Sequence, residues 1–459
     1  MTIVNPAATK FEQAVSLASI ESSKKIWGQV TRVVSQSVHI QGLSIAIGLG
    51  DQIEIKTPTG SMMTGEIIAL NPDEAIAIMY NDPFGIRVGS RAYFKPESLV
   101  SPSSDWIGKV LDHSARTVDG QTPLEGPTKL PLRNKPPPAI LRKPLGSRLD
   151  TGIAAIDTFL PLCQGQRMGL FAGSGIGKST LLAALARGTK ADVIIIALIG
   201  ERGREVRSFV ENTLGEEGME KSIVFVATSN DPSALKLRTA LLALTTAESF
   251  RDEGKQVLVL FDSITRFAEA HRDVALTAGE IPSLRAYPPS TFRALAALCE
   301  RTGPGIDGSG DITAVFSVLV AGSNMEEPIA DMVRGILDGH IVLDREIAER
   351  GRYPAIDVRR SVSRSLPEAA SPEENEILNK GRALIGAYED ARPLIQSGLY
   401  ASGSDPVIDN AIEIYPSLDG FVGSLGDADA TKAFDKLAEI LTIKATSVAD
   451  VENLDQATD

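Results

Sequence analysis

Cysteine is almost missing from this chain. Only Cys163 and Cys299 occur in 459 residues, far apart and without metal-ligand spacing. That excludes a disulfide framework and a cysteine-built zinc site, and two reduced, buried thiols are expected instead. Aromatic residues supply only 5% of the chain, too few for a surface studded with base-stacking side chains. Positive charge is also short: 46 basic residues face 59 acidic ones, for a formal net charge of −13. A surface that grips phosphate backbones wants the opposite sign, so nucleic acid is not an expected partner. No run approaches the roughly 18 uncharged apolar residues needed to cross a bilayer. The first thirty residues lack a basic start followed by an apolar core, so no secretory signal is expected.

What remains is ordinary globular material, 43% hydrophobic and 23% charged, in a chain long enough for about two to four domains. Phe11, Val15 and Ala18 fall at helical spacing between Ala8 and Ile20. They fit either a frayed terminal helix or an arm that docks a partner or a membrane surface. From Trp27 to about Phe94 short β-rich runs follow, Gly28–Val34, Ser44–Ile47, Gln52–Ile55, Gly65–Ala69 and Glu74–Met79, separated by Gly, Pro and Asn turns. That spacing predicts a small β-barrel or sandwich. A Pro-rich stretch, Pro123 to Pro144, reads as a semi-rigid extended connection.

Beyond Leu145 the style is α/β. Near-continuous apolar runs at Arg167–Phe171, Val193–Ile199, Ile223–Ala227, Val257–Phe261 and Ile312–Val320 alternate with helical stretches. Such runs predict a mostly parallel sheet covered on both faces. Ligands then bind beyond the carboxyl ends of the strands. After Pro367 the pattern is mainly helical and ends in an acidic tail, Asp450 to Asp459, expected to be disordered.

The residues at those strand ends carry chemistry. Ala172-Gly173-Ser174-Gly175-Ile176-Gly177-Lys178-Ser179-Thr180 follows the first run and opens a helix. It fits the phosphate-loop pattern G-x-x-x-x-G-K-[ST] with Ala172 at the first Gly. Its glycines let consecutive backbone N–H groups curl round a phosphate, and the helix N-terminus adds positive potential. Lys178 is placed to reach the β- and γ-phosphates of ATP, and the Ser179 hydroxyl to bind Mg²⁺. Asp262 closes the run Val257–Phe261. Alone it reads equally as a turn or helix cap, but opposite a phosphate loop it can hold Mg²⁺. Glu201, directly after Val193–Ile199 and Gly200, could polarise attacking water or simply belong to a solvated charged turn.

With these residues in view, the run Gly165 to Ser179 resembles the flagellum-specific ATPase of the bacterial type III export apparatus. That family is related to the catalytic subunits of rotary ATP synthases. Leu149 to Asp157, Gly200 to Glu205, Asp262 to Phe267, Tyr287-Pro-Pro-Ser290, Ile336 to His340 and the stretch Tyr353 to Arg364 carry the same likeness. It runs from about Trp27 to about Val422 and is weak in the first 25 and last 35 residues. The fold it implies is α/β: a RecA-like P-loop core over 99–366, a small β-barrel over 26–98 and a C-terminal helical domain over 367–459. Residues 1–25 would be a partner-binding arm.

The resemblance further implies that Glu201 activates water and that Arg202 lies near the γ-phosphate. Asp262 would serve Mg²⁺, Arg266 would support it, and Tyr353 would pack on adenine. Arg364 would be an arginine finger offered to the neighbouring subunit. Without the resemblance, Tyr353 reads as a core or surface aromatic and Arg364 as half of a surface salt bridge; Arg359 and Arg360 read as a solvated face. The implied assembly is a ring of six identical subunits at the cytoplasmic face of the export gate, peripheral to the membrane. A stator-like regulator and chaperone–substrate complexes are the implied partners. The barrel would form the ring's crown, and the C-terminal helices would move with nucleotide state. Three rival readings stand beside this one. A non-catalytic nucleotide-binding subunit would lack Glu201, and a hexameric RNA helicase wants a basic, aromatic face. An injectisome ATPase exporting effectors differs least, and Tyr287-Pro-Pro-Ser290 leans toward the flagellar branch.

Overall fold

The structure is a computed structural model that describes residues 26–96, 99–320, 325–426 and 429–442. The expected arm and acidic tail lie outside the described residues.

Six antiparallel strands close into a barrel: β1 (Trp27–Val34), β2 (Ser37–Gln41), β3 (Gln52–Lys56), β4 (Met62–Leu70), β5 (Ala75–Met79) and β6 (Arg91–Lys95), in the order β1-β2-β5-β4-β3-β6. Closure removes the unpaired edges that would otherwise invite aggregation. Val30, Val38, Ile40, Ile53, Ile55, Ile67 and Met79 fill the interior, one side of each alternating strand. The run Ser44–Ile47, expected as a strand, is a turn instead. The Ala46 N–H donates to the Leu43 carbonyl at 2.9 Å, and Ile45 stands fully exposed between buried Leu43 and Ile47. Strands β2 and β6, absent from the sequence reading, complete the barrel.

The core sheet comprises β7 (Val110–Leu111), β8 (Arg167–Ala172), β9 (Val193–Glu201), β10 (Ser222–Thr228), β11 (Gln256–Asp262), β12 (Gly303–Pro304), β13 (Asp311–Leu319), β14 (Gly339–Val342) and β15 (Val362–Ser363). Its order is β15-β14-β8-β13-β11-β9-β10-β7, with β12 paired to β13. From β14 to β7 every pairing is parallel, while β15 and β12 pair antiparallel. Parallel pairing requires crossover helices on the faces, which is why the strands read as unbroken apolar runs. Two separate apolar cores line the two faces, one around Leu170, Ile194 and Leu258, the other around Phe171, Ile195 and Phe261.

The Pro-rich stretch is pinned to this core. Among its residues Leu132 is buried, and its carbonyl accepts from Arg301 Nη1 at 2.9 Å. Arg301 in turn pairs with Glu248 at 2.7 Å, with both side chains almost fully buried. Three helices follow the core: Pro372–Gln396, Pro406–Val422 and Ala430–Thr442. The first starts with a capping box between Ser371 and Glu374, and Glu374 also takes a two-pronged ion pair from Arg148. Tyr388 and Tyr415 stack with ring centroids 3.6 Å apart, joining the first helix to the second.

Candidate active site

Strands β8, β13, β11 and β9 are neighbours, and their carboxyl ends frame a cavity of about 1330 Å³. At the end of β8, Ala172 to Thr180 turn into the helix Lys178–Gly188. Gly177 makes this turn at φ 91°, a left-handed conformation that costs glycine little. A Cβ there would lie 3.2 Å from the Tyr353 ring, so the ring sits directly over the loop. The helix's first N–H groups have no partner within the helix, which suits its N-terminus to an anion. Ile176 is buried beneath the loop, while Ser174, Gly175, Ser179 and Thr180 are exposed to the cavity.

Lys178 joins two strand ends. Its Nζ lies 3.4 Å from Glu201 Oε1 and forms a shorter ion pair with Asp262 Oδ1. Asp262 is 3% exposed and also accepts from the Ser317 hydroxyl at 2.5 Å. Glu201 has its pKa raised chiefly by burial, then by repulsion from Asp262, with Lys178 pulling the other way. The end of β9 that presents Glu201 departs from regular pairing at Gly200, φ 77°, where a Cβ would meet Arg266 Cβ at 2.9 Å. Arg266 therefore packs against the strand end that presents Glu201. Its Nη1 donates to Glu269 at 2.7 Å, and that bond raises its pKa further. Arg202 is largely exposed at the cavity wall, 3.3 Å from Glu205.

The cavity thus gathers the loop residues Gly173 to Thr180 with Glu201, Arg202, Arg266 and Tyr353, and Lys178 ties Asp262 to them. It does not gather Arg364, which is exposed beyond β15, outside the cavity lining. Among the described residues Arg364 carries no ion pair. Arg359 and Arg360 do pair at the surface, with Asp390 and Asp344. Cys163 and Cys299 are free and buried, and burial pushes the Cys299 thiol up to about 12.

Sequence reasoning missed Ser317, Lys236, Glu269, Asp273 and Arg285 around the site. Only Ser317 left a signal: it is the lone polar residue in the apolar stretch Ala314–Val320.

The oxygen donors at the loop, the Ser179 hydroxyl and the Asp262 carboxylate, suit a hard cation such as Mg²⁺, which keeps waters and takes other ligands from phosphate. No cluster of three or more His, Cys, Asp or Glu that could cage a metal occurs among the described residues.

A phosphate loop at the carboxyl edge of a parallel sheet, its lysine facing two strand-end carboxylates, defines an ATP-hydrolysing P-loop enzyme of the ATP synthase type. Residues 152–363 match the ATP synthase alpha/beta family, nucleotide-binding domain, and residues 370–423 the T3SS EscN ATPase C-terminal domain. The chain belongs to the family of flagellum-specific ATP synthases. It is 41% identical over 426 residues to the one from Caulobacter vibrioides, covering 91% of this chain and 96% of that protein. The Salmonella typhimurium relative is 40% identical over 408 residues, covering 86% and 89%. Among solved structures, the assembled ATPase EscN of the enteropathogenic E. coli type III secretion system is similar at TM-score 0.84 and 35% identity. That match covers 90% of this chain and all of the other. EscN has also been solved with its central stalk EscO, at TM-score 0.81.

Proposed function

We propose that this chain hydrolyses ATP at sites shared between the subunits of a ring, and couples hydrolysis to export of flagellar proteins through a type III apparatus. The observation that carries the reading is the convergence of Lys178, Glu201 and Asp262 at one phosphate loop. Lys178 can turn from the carboxylates to the β- and γ-phosphate oxygens, leaving Glu201 free to orient the attacking water and draw on its proton. Ser179 and Asp262 would hold Mg²⁺, which would supply neutralisation of the phosphate charge. Arg202 and Arg266 add positive charge on the Glu201 side, and the half-exposed Tyr353 ring offers adenine a flat apolar face. Arg364 is exposed, lies outside the lining of its own cavity and carries no ion pair among the described residues, which fits a finger presented to the next subunit.

A ring of six, a stalk-like regulator, chaperone–substrate complexes as clients and a station at the inner membrane face complete the proposal. The assembled EscN and its complex with its central stalk EscO support the assembly and the stalk-like partner. No helix among the described residues is long and apolar enough to cross a membrane, so attachment would be peripheral. The test is phosphate release and nucleotide binding by Glu201→Gln and Lys178→Ala, alongside secretion of filament protein in cells lacking their own flagellar ATPase. Glu201→Gln should bind a fluorescent ATP analogue yet release no phosphate, Lys178→Ala should lose both, and only the unsubstituted chain should restore secretion. Normal turnover by Glu201→Gln would remove the proposed chemistry.

A further inference from the structure

Gln166 is fully buried, at the root of the strand that runs into the phosphate loop, and nothing in the proposed chemistry uses it. A buried amide is retained only where its donors and acceptors are met, and this one is met on two sides. Its Oε1 accepts from the Cys163 N–H at 2.8 Å. Its Nε2 donates to Ser363 Oγ at 2.9 Å and to the Asp338 carbonyl at 3.3 Å. That same Asp338 carbonyl accepts the Arg364 N–H at 2.9 Å, and Ser363 precedes Arg364 in the chain. Ser363 Oγ donates onward to the Pro161 carbonyl at 2.7 Å. The Asp338 carboxylate is fixed by the Arg167 N–H at 3.0 Å and Nε at 3.1 Å. The carbonyl that holds the Arg364 backbone N–H and the side chain of the residue before it therefore meet at one buried amide at the base of β8.

We propose that Gln166 is the positioning residue for Arg364: by holding Ser363 and the Asp338 carbonyl to the root of the phosphate-loop strand, it sets where the guanidinium is offered to the neighbouring site. The arrangement ties one subunit's loop strand to catalysis in the next. It rests on the reading that Arg364 acts between subunits, and the test separates the two.

Gln166→Leu, which keeps the volume and removes the amide, should lower kcat by about 10-fold or more with little change in the KM for ATP, because small displacements of a positioned group are costly. Equimolar mixing locates the defect. Glu201→Gln has a dead site and a sound finger, whereas Arg364→Ala has a sound site and no finger. Gln166→Leu should regain activity when mixed with Glu201→Gln and none when mixed with Arg364→Ala. The reverse pattern would place the defect in its own loop and overturn the assignment of Gln166. The control mixture of Glu201→Gln with Arg364→Ala should be active; if it stays inactive, the shared-site reading falls and takes this proposal with it. Ser363→Ala, which leaves the amide and its Cys163 contact in place, should complement in the same direction, and it carries the test if Gln166→Leu does not fold.

Discussion

Lys178 serves two carboxylates, and Glu201 bears the cost of that crowding. Burial and the neighbouring Asp262 raise its pKa above the ordinary glutamate value, near 4.3. An acid raised on folding binds its proton more tightly in the native state, so stability falls as pH rises from the unfolded value through the folded one. Above that window the ionised Glu201 is a standing penalty. Glu201→Gln should therefore melt at a higher temperature than the unsubstituted chain at neutral pH. The difference should shrink through the window and vanish below about pH 4.3. Differential scanning calorimetry across pH measures it, and equal melting temperatures at pH 7 would contradict the electrostatic account. The same shift makes hydrolysis fail on acidification at a higher pH than an ordinary glutamate would. Lys178 and Ser179 were legible in the sequence because a phosphate loop needs its residues consecutive. Ser317 stands out only as a polar residue in an apolar run; its partner does not, because it meets Asp262 through the β11–β13 register, in which Phe316 lies beside Phe261, and pairing across a sheet leaves no mark on linear spacing.

Among the elements, the long core strands β8, β9, β10, β11 and β13 were legible almost to the residue because burial on both faces makes them near-continuously apolar, whereas β7, β12, β14 and β15, two to four residues each, were not legible. The barrel was read less well. Leu43, Ile45 and Ile47 alternate as strand residues do, yet here they bracket a turn, and period-2 spacing cannot separate the two. Nor does a Pro-rich composition show what anchors such a stretch. The anchor is Arg301, whose guanidinium meets Glu248, Thr245 and the Leu132 carbonyl. Removing one partner of a buried pair strands the other charge, at about 3–5 kcal/mol. Arg301→Met should lower the chemical-denaturation midpoint accordingly, and the double variant Arg301→Met with Glu248→Leu should recover much of the loss. If the double variant is as unstable as the single one, the cost lies in the lost Leu132 contact rather than in the uncompensated carboxylate.

For the whole molecule, the most informative feature is a separation: Arg364 lies outside the cavity in which the other candidate residues gather. A second copy of the chain would give this exposed arginine a site to meet, since heterologous contacts that close into a ring present the same surface to each successive site. Linear sequence shows that Arg364 exists and resembles a finger, but only the fold shows that it lies outside the lining of its own cavity. The direct test is the Mg²⁺-dependent ATPase rate per chain across a concentration series, with Glu201→Gln measured in parallel and assembly followed by light scattering. The account predicts a rate per chain that climbs as the ring assembles, and no hydrolysis by Glu201→Gln at any concentration. Full activity in a preparation that scatters as a monomer would contradict it.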